Sequence, residues 1–432
     1  MTLLKGKKIL FATTGMDGHF NPLTGLAKFL QDEGCDVRWY TSERFRAKLA
    51  RLQIPFYPFY TVHEINLDDP AQAAARNAIE DPMEKLNYDF IHIFIERGPE
   101  YYADILKIHE SFAFDIMISD NGFTGIPFVK QKMKVPVVAI GIVPLAENST
   151  LLGPYGMALP PATTEATIAE YAKQNDFVLN VMLKQTVEAH ERTLHEHGIV
   201  FERALFPHIL TTQASIYLHI GIPEFEYQRP DLGQNIRFIG ALLPYQADSQ
   251  NHQAWYDDRL IQYDKMVLVT QGTVEKDTAK LIEPTLEAFQ GTDVLVIVTT
   301  GDSNTQALRE KYNAPNIIIE SFIPFNDVMP YANVYITNGG YGGTLLSLSH
   351  KLPMVAAGVH EGKSEVCARI GYFGAGINLN TETPAKEAIR EAAEEVMRNN
   401  QYKNKATEIC DKMAQYQSEQ LCADYIAELL AG

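Results

Sequence analysis

The stretch KKILFATTGMDGHFNPLTGLAKFLQDEGCDVRWYT (7–41) decides the fold of this chain. Its apolar start, KKILFATT (7–14), predicts a buried strand, and DVRWYT (36–41) at its end predicts a second one. Between them, apolar residues at helical spacing predict a helix with Asn21 as its N-cap and Pro22 in its first turn. A strand, a helix and a strand in this order form a βαβ unit, whose strands are parallel and whose crossover is right-handed.

The same alternation of apolar runs and helical segments continues along the chain. Further strands are predicted at FDIMISD (114–120), VPVVAIG (135–141), KMVLVTQG (265–272), DVLVIVTTG (293–301), NIIIESF (316–322) and VYITNGG (334–340). We therefore predict an α/β protein with two Rossmann-like, doubly wound domains that face each other across a cleft. The predicted boundaries are 1–225 for the N-terminal domain, 226–262 for a linker, 263–412 for the C-terminal domain and 413–432 for a last helix.

The composition excludes several classes of protein. Among 432 residues, 37 Lys and Arg against 54 Asp and Glu leave a net charge of −17, which argues against binding to nucleic acid or to an anionic membrane. The longest apolar stretch, VPVVAIGIVPL (135–145), is too short for a membrane span, and the N-terminal apolar run is too short for a signal peptide. The four widely separated cysteines indicate a reduced, cytoplasmic protein rather than a disulfide scaffold or a zinc ribbon.

Two polar residues follow predicted strands and are candidates for catalysis. Ligands of open α/β sheets bind at the carboxyl ends of the strands, where His19 and Asp120 are both placed. A histidine there can take a proton near neutral pH, and a carboxylate beside it can orient the imidazole. The alternatives are a histidine that makes a local hydrogen bond at the start of a helix and an aspartate that caps a turn.

The glycine-rich segment TNGGYGGTLLSLSH (337–350) is a candidate anion-binding site. Its glycines let a ligand approach the backbone closely, and the N-terminus of the following helix favours a phosphate. The alternative is a tight strand-to-helix turn. Neither this segment nor GMDGH (15–19) has the GxGxxG spacing of a dinucleotide site, and GVHEGKS (358–364) is one residue too short for a P-loop. HERTLH (190–195) does not place its histidines on one helix face, so no metal site is predicted.

Several segments together resemble the inverting GT-B glycosyltransferases, and most closely the bacterial relatives of the macrolide and natural-product UDP-glycosyltransferases. The resemblance covers most of the chain up to about residue 379 and is weakest over 150–235. It rests on GMDGHFNPLTGLAKFL (15–30), ISDNGFTG (118–125), VTQGT (269–273), SFIPF (321–325) and VYITNGGYGGTLLSLSHKLPMVAAG (334–358). The resemblance implies that the N-terminal domain binds an acceptor, that the C-terminal domain binds a nucleotide-sugar donor, and that the last helix packs back on the N-terminal domain.

The resemblance also implies a role for individual residues. His19 is the general base that deprotonates an acceptor hydroxyl, and Asp120 is its partner. The nucleotide diphosphate leaves without help from a metal or a cofactor, because backbone N–H groups and a helix dipole stabilise it. Residues implied in donor binding are Gly18, the diphosphate turn of Gly272 and Thr273, Phe322, which stacks on the base, and Ile323, whose backbone contacts the edge of the base.

The sequence departs from the family pattern in the donor site. Asn338 stands where the family has a histidine, Leu346 where it has a ribose-binding glutamate, and Gly362 and Lys363 where it has an Asp-Gln pair. Asn and Ser are replaced by Gly342 and Gly343. We therefore expect phosphate binding by Asn338 and by the backbone of Gly339, Gly340, Gly342, Gly343 and Thr344, and sugar or phosphate contacts from Glu361 and Lys363. The alternative for the last two is a solvated, charged turn.

The expected function is metal-independent, inverting transfer of a sugar from a nucleotide-diphosphate sugar, expected to be a UDP-sugar, to a hydroxyl of a lipophilic small molecule. Aromatic residues in FYPFY (56–60), in 88–102 and in 141–160 are candidate walls of the acceptor pocket. Two alternatives remain open. The eroded donor motif suits a nucleotide-sugar-binding protein without transfer activity, and a GT-B nucleotide-sugar epimerase would not need an apolar acceptor cleft.

Overall fold

Two parallel β-sheets organise the computed structural model, which describes residues 4–65, 69–245, 254–272, 275–360 and 362–431. The strands are β1 (Lys8–Ala12), β2 (Asp36–Thr41), β3 (Phe56–Pro58), β4 (Ile116–Asp120), β5 (Val137–Gly141), β6 (Ile216–His219), β7 (Ile236–Phe238), β8 (Lys265–Thr270), β9 (Val294–Thr299), β10 (Ile317–Glu320), β11 (Val334–Thr337), β12 (Met354–Ala356) and β13 (Gly376–Asn378). The first sheet has the order β3-β2-β1-β4-β5-β6-β7, and the second has the order β10-β9-β8-β11-β12-β13. The strands within each sheet pair in parallel.

Helices connect these strands and cover both faces of the sheets. They are α1 (Asp17–Phe20), α2 (Thr24–Asp32), α3 (Arg46–Leu52), α4 (Pro70–Asn77), α5 (Pro82–Asp89), α6 (Arg97–Ser111), α7 (Ile126–Phe128), α8 (Glu165–Phe177), α9 (Lys184–Glu196), α10 (Phe206–Gln213), α11 (Ile282–Phe289), α12 (Thr305–Lys311), α13 (Phe325–Val328), α14 (Tyr341–Ser349), α15 (Lys363–Tyr372), α16 (Lys386–Arg398), α17 (Asn400–Met413) and α18 (Ser418–Ala431). None of these helices is both long and apolar enough to span a membrane.

Apolar residues fill both faces of the central strands, as expected of strands buried between two helical layers. In β1, Ile9 and Phe11 belong to one core cluster, whereas Leu10 and Ala12 belong to another on the opposite face. The second sheet repeats this arrangement. The predicted fold class, two Rossmann-like α/β domains, is confirmed.

The first helix begins earlier than the sequence predicts. The N–H groups of His19 and Phe20 both donate to the carbonyl of Met16 at 3.0 Å, so a helical turn forms before Asn21. Asn21 has helical dihedral angles and begins a 3₁₀ turn with Pro22, so it is not an N-cap. The prediction of a helix start at Asn21-Pro22 is therefore wrong, and His19 lies in α1 rather than in the preceding loop.

Two segments near the predicted domain boundaries belong to the N-terminal domain. Strand β7, which lies inside the predicted linker 226–262, pairs with β6 and so extends the first sheet. Helix α18 packs against α2, and the hydroxyl of Ser418 donates to the carbonyl of Ala241 at 3.2 Å. The chain therefore passes from one domain to the other twice, once after the first sheet and once again before α18.

Candidate active site

His19 and Asp120 meet at the carboxyl edge of the first sheet. Strands β1 and β4 are neighbours in register, with Ala12 opposite Ser119, so Asp120 at the end of β4 faces the segment that follows β1. The Nδ1 atom of His19 lies 2.6 Å from Oδ1 of Asp120. Asp120 is fully buried, whereas the His19 side chain keeps 20% of its surface exposed. The predicted pair is therefore formed, with the imidazole at the mouth of the cleft.

Backbone groups complete the hydrogen bonding of Asp120. The N–H of Gly122 donates to Oδ1 at 2.8 Å, and the N–H of Thr14 donates to Oδ2 at 3.0 Å. Because both oxygens of Asp120 act as acceptors, we assign Nδ1 of His19 as the atom that carries the hydrogen and donates it to Asp120. This tautomer leaves the lone pair on Nε2, the atom that a general base requires.

Gly122 allows the imidazole to approach this closely. A Cβ atom at residue 122 would lie 2.8 Å from Cε1 of His19 and 3.1 Å from Oδ1 of Asp120. Any larger residue would displace the imidazole or the carboxylate. Gly122 is not among the predicted site residues, although its place two residues after a strand-end aspartate is a signal for close backbone approach.

Aromatic rings and one carboxylate lie around the base. Phe94, in the predicted wall 88–102, has its ring centre 6.5 Å from that of His19. Tyr57 and Phe59, in the predicted wall 56–60, are half-buried and pack against the same core as Phe94. Glu64 accepts a hydrogen bond from the Ser42 hydroxyl at 2.7 Å, and its carboxylate covers Gly15 in the loop before His19. Phe94 is therefore the aromatic residue that the structure places beside His19.

The glycine-rich segment leads from β11 into α14. Gly340 is the N-cap residue of α14, so the first backbone N–H groups of this helix have no acceptor within it. A Cβ atom at Gly340 or Gly342 would meet no other atom within 4 Å, so the backbone is open on this side. These groups and the helix dipole can stabilise an anion.

Other residues of this segment have structural contacts instead. Gly339 has a positive φ of 86°, and a Cβ atom there would lie 2.5 Å from Sγ of Cys367. Thr344 is buried, and both its N–H and its hydroxyl donate to the carbonyl of Gly340 at 3.0 Å. Thr344 therefore stabilises the first turn of α14, and its polar groups are directed at its own helix.

Asn338 and Gly358 bring the two donor loops together. The Asn338 side-chain amide donates to the carbonyl of Gln271 at 2.7 Å, so it fixes the end of β11 to the end of β8. A Cβ atom at Gly358 would lie 2.1 Å from the carbonyl oxygen of Asn338. The segment from Gly358 to Lys363, the first residue of α15, therefore begins directly against the loop that precedes α14.

The remaining predicted donor residues differ in exposure. Phe322 is 61% exposed at the end of β10, as a ring that stacks on a ligand would be, whereas Ile323 beside it is buried. Gly272 has a positive φ of 74°, and Gly18 lies in α1; a Cβ atom at either would meet no atom within 4 Å. Thr273 and Glu361 lie outside the described residues.

Tyr341 joins the donor helix to the N-terminal domain. Its hydroxyl donates to the carbonyl of Ile220 at 2.7 Å and lies 3.3 Å from Nε2 of His219. Burial lowers the pKa of His219 to about 4, so this histidine is neutral at pH 7. Tyr341 stands in the middle of the glycine run, so the first turn of α14 is fixed against the end of β6. The sequence analysis missed this contact.

A buried ion-pair network also crosses between the domains. Arg369 of α15 binds Glu226 at 2.5 Å and Glu365 at 2.8 Å, and Arg229 lies 3.5 Å from Glu226. Burial opposes ionisation of Glu226, but Arg369 and Arg229 outweigh it and lower its pKa to about 2. Within the described ranges, no group of three or more His, Cys, Asp or Glu side chains is placed to hold a metal ion.

The chain is similar to several known proteins. Residues 283–429 match the family model for the C-terminal domain of erythromycin biosynthesis protein CIII-like proteins. The chain is 31% identical to 4'-demethylrebeccamycin synthase of Lentzea aerocolonigenes over 95% of its own length and 96% of that protein. It is 30% identical to UDP-glycosyltransferase 2 of Phaeomoniella chlamydospora over 98% and 96%. The crystal structure of the kitacinnamycin glycosyltransferase superposes with a TM-score of 0.75 at 15% identity, covering 99% of this chain and all of that one.

The two facing parallel sheets, with glycosyltransferases as structural neighbours, define the GT-B fold. Two relatives at 30% identity or more are matched over nearly their whole length, and this similarity shows the family. The chain belongs to the natural-product UDP-glycosyltransferase family and is a glycosyltransferase.

Proposed function

We propose that this glycosyltransferase transfers a sugar from a UDP-sugar to a hydroxyl of a lipophilic small molecule, with inversion at the anomeric carbon and without a metal. The observation that carries the proposal is the 2.6 Å contact between His19 and the buried Asp120. A buried carboxylate that holds a partly exposed imidazole in one tautomer is the arrangement expected for a general base.

In the proposed reaction, Nε2 of His19 takes the proton of the acceptor hydroxyl. The acceptor oxygen forms a bond to the anomeric carbon from the face opposite the diphosphate, while the bond from that carbon to the phosphate oxygen breaks. Inversion follows from this single in-line displacement. Asp120 stabilises the imidazolium, and the negative charge on the leaving UDP is stabilised by backbone N–H groups at the start of α14.

The choice of UDP rests on the relatives, one of which is called a UDP-glycosyltransferase. The lipophilic acceptor is supported by the aromatic residues beside His19, such as Phe94. All four cysteines are free and buried thiols, which supports a cytoplasmic location.

A second candidate is a nucleotide-sugar-binding protein without transfer activity. It is favoured by the donor site, where Asn338 and Leu346 replace side chains of the family pattern and Asn338 is engaged with the carbonyl of Gln271. A protein that only binds, however, has no need of an oriented base beside an apolar cleft.

A donor screen by thermal shift tests both candidates. The protein is heated with UDP, TDP, GDP and their common sugar conjugates, because a ligand at about 100 times its Kd stabilises the folded state by about 2.7 kcal/mol. A shift with UDP compounds, followed by transfer to a polyphenol or polyketide panel, supports the proposal. Inverted product by NMR and full activity in EDTA test the stereochemistry and the metal independence. Binding without any transfer favours the second candidate, and no shift contradicts both.

A further inference from the structure

A turn of the N-terminal domain is bound to the start of α15 in the C-terminal domain. Glu365, which is buried in the first turn of α15, accepts hydrogen bonds from the N–H groups of Gly156 at 2.8 Å and Ala158 at 2.9 Å. The hydroxyl of Ser364 donates to the carbonyl of Gly156 at 3.0 Å. Three hydrogen bonds therefore join the turn 154–158 to the helix that directly follows the loop 358–362.

The backbone of this turn is shaped around the carboxylate. Gly156 and Ala158 both have positive φ angles, of 98° and 56°, and their N–H groups converge on the same oxygen of Glu365. An alanine in the left-handed region costs free energy and persists only where the surroundings hold it. The hydrogen bonds to Glu365 therefore hold the backbone of this turn against the other domain.

The carboxylate of Glu365 is itself fixed from the other side. Its second oxygen accepts a hydrogen bond from Arg369 at 2.8 Å, and Arg369 also binds Glu226 of the N-terminal domain. Each buried charge in this network has a partner of opposite sign, as buried charges require. Arg369 thus fixes the carboxylate of Glu365, and this carboxylate fixes the position of the turn relative to α15.

This arrangement places Tyr155 beside the loop 358–362. Its hydroxyl lies 3.7 Å from the position that a Cβ atom of Gly362 would take. The Tyr155 side chain is half-buried, so part of it can reach a ligand. Burial raises the pKa of Tyr155, so the phenol is neutral and can both donate and accept a hydrogen bond.

We propose that Tyr155 is a donor-sugar-binding residue that the acceptor domain contributes to the donor site, and that Ser364 and Glu365 position it. The proposal rests on the proposed function, because it assigns a sugar hydroxyl to a site beside the donor loop. It makes the donor site a product of both domains: the C-terminal domain holds the diphosphate, and a residue of the N-terminal domain contacts the sugar.

The test compares Tyr155→Phe with the wild type for binding of UDP and of UDP-glucose by calorimetry. Loss of one hydroxyl is expected to raise the Kd for UDP-glucose about tenfold and to leave the Kd for UDP within twofold, because UDP has no sugar to contact. Tyr312→Phe is the matched control. Its hydroxyl lies 3.3 Å from Glu283 and Glu287, and it precedes β10 at the amino edge of the second sheet.

Ser364→Ala tests the positioning role without removing a buried charge. The KM for UDP-glucose is expected to rise several-fold with kcat nearly unchanged, and amide hydrogen exchange at Gly156 and Ala158 is expected to become faster. A purely structural role would lower the melting temperature without this split between KM and kcat.

Two results would overturn the inference. One is an unchanged Kd for UDP-glucose in Tyr155→Phe, and the other is an equal loss for UDP and UDP-glucose. Failure of the proposed function alone has a different signature, since the wild type would then bind both compounds without transferring a sugar. Wild-type binding of neither compound overturns the proposed function and the inference together.

Discussion

The proposed base site and the proposed donor segment differ in which groups of the protein form them. At the proposed base site, the side chains are fixed by hydrogen bonds, since Asp120 accepts from His19, Thr14 and Gly122. In the donor segment, the open groups are backbone N–H groups at Gly340 and Gly342, while Asn338 and Thr344 use their polar atoms within the protein. The first site depends on residue identity and the second on backbone shape, which explains how family side chains can be replaced in the second.

The largest effect is expected at the base itself. His19→Ala removes the proton acceptor and should lower kcat by roughly 10²–10⁴-fold, the usual contribution of general base catalysis. Binding of UDP should remain near normal, because the backbone groups proposed to bind the diphosphate lie at the start of α14 in the other domain. Steady-state kinetics and calorimetry of the same preparation check both statements, and loss of UDP binding would contradict the assigned role.

Gly122→Ala probes the shape of the base site while it keeps both catalytic side chains. The added methyl group would lie 2.8 Å from His19 and should push the imidazole away from Asp120. We expect kcat to fall by roughly 10²-fold with little change in UDP affinity. Gly371→Ala in α15, where the added group would make only an ordinary contact of 3.5 Å with Asn378, is the control. Equal kinetics for the two variants would show that Gly122 does not set the position of the base.

Two glycines of the donor segment should separate folding from binding. Gly339→Ala meets Sγ of Cys367 at 2.5 Å and also requires a positive φ, so it should destabilise the fold by about 1–3 kcal/mol. Gly342→Ala has open space and should keep the melting temperature while weakening UDP binding several-fold. Thermal unfolding of both variants measures their stability, and titration with UDP measures their affinity for the nucleotide. Normal UDP affinity in Gly342→Ala would mean that the ligand does not approach this part of the backbone.

The smallest effect concerns the pH dependence of stability through His219, which lies at the contact between the domains. The pKa of His219 is lowered from 6.5 to about 4, so between these values the unfolded chain binds a proton that the folded protein excludes. Stability should therefore fall as the pH falls through this window, by about 2 kcal/mol per such histidine between pH 6.5 and pH 5. His219→Gln should reduce this loss in urea unfolding, whereas His63→Gln, at an exposed position, should leave it unchanged.

Much of the fold, and the pairing of His19 with Asp120, could be predicted from local sequence. Long apolar runs mark β1, β8 and β9, and parallel strands bring their carboxyl ends to one edge, which is why His19 and Asp120 meet. Strands of three residues, such as β7 and β12, are too short to show a period, and the start of α1 depends on hydrogen bonds to Met16. Shape at the atomic scale, as at Gly122, leaves only a weak trace in sequence.

Contacts between the domains are the part that sequence reasoning could not reach. Arg369 and Glu226 are separated by 143 positions, and Tyr341 contacts Ile220 from 121 positions away. These pairs form only when the two sheets take one particular orientation, which no local pattern encodes. Tyr341 stands out among glycines, and Glu365 and Arg369 stand out among the apolar residues of α15. These signals can be interpreted only when the relative position of the domains is known.

The return of α18 to α2 gives the two domains a two-point attachment. Two connections restrict the rotation of one domain against the other more than a single connection would. An exchange of donor specificity by grafting a foreign C-terminal domain therefore needs two junctions, one after Ala241 and one before Ser418. A graft with one junction would replace α18 and leave the apolar surface of α2 against a foreign helix.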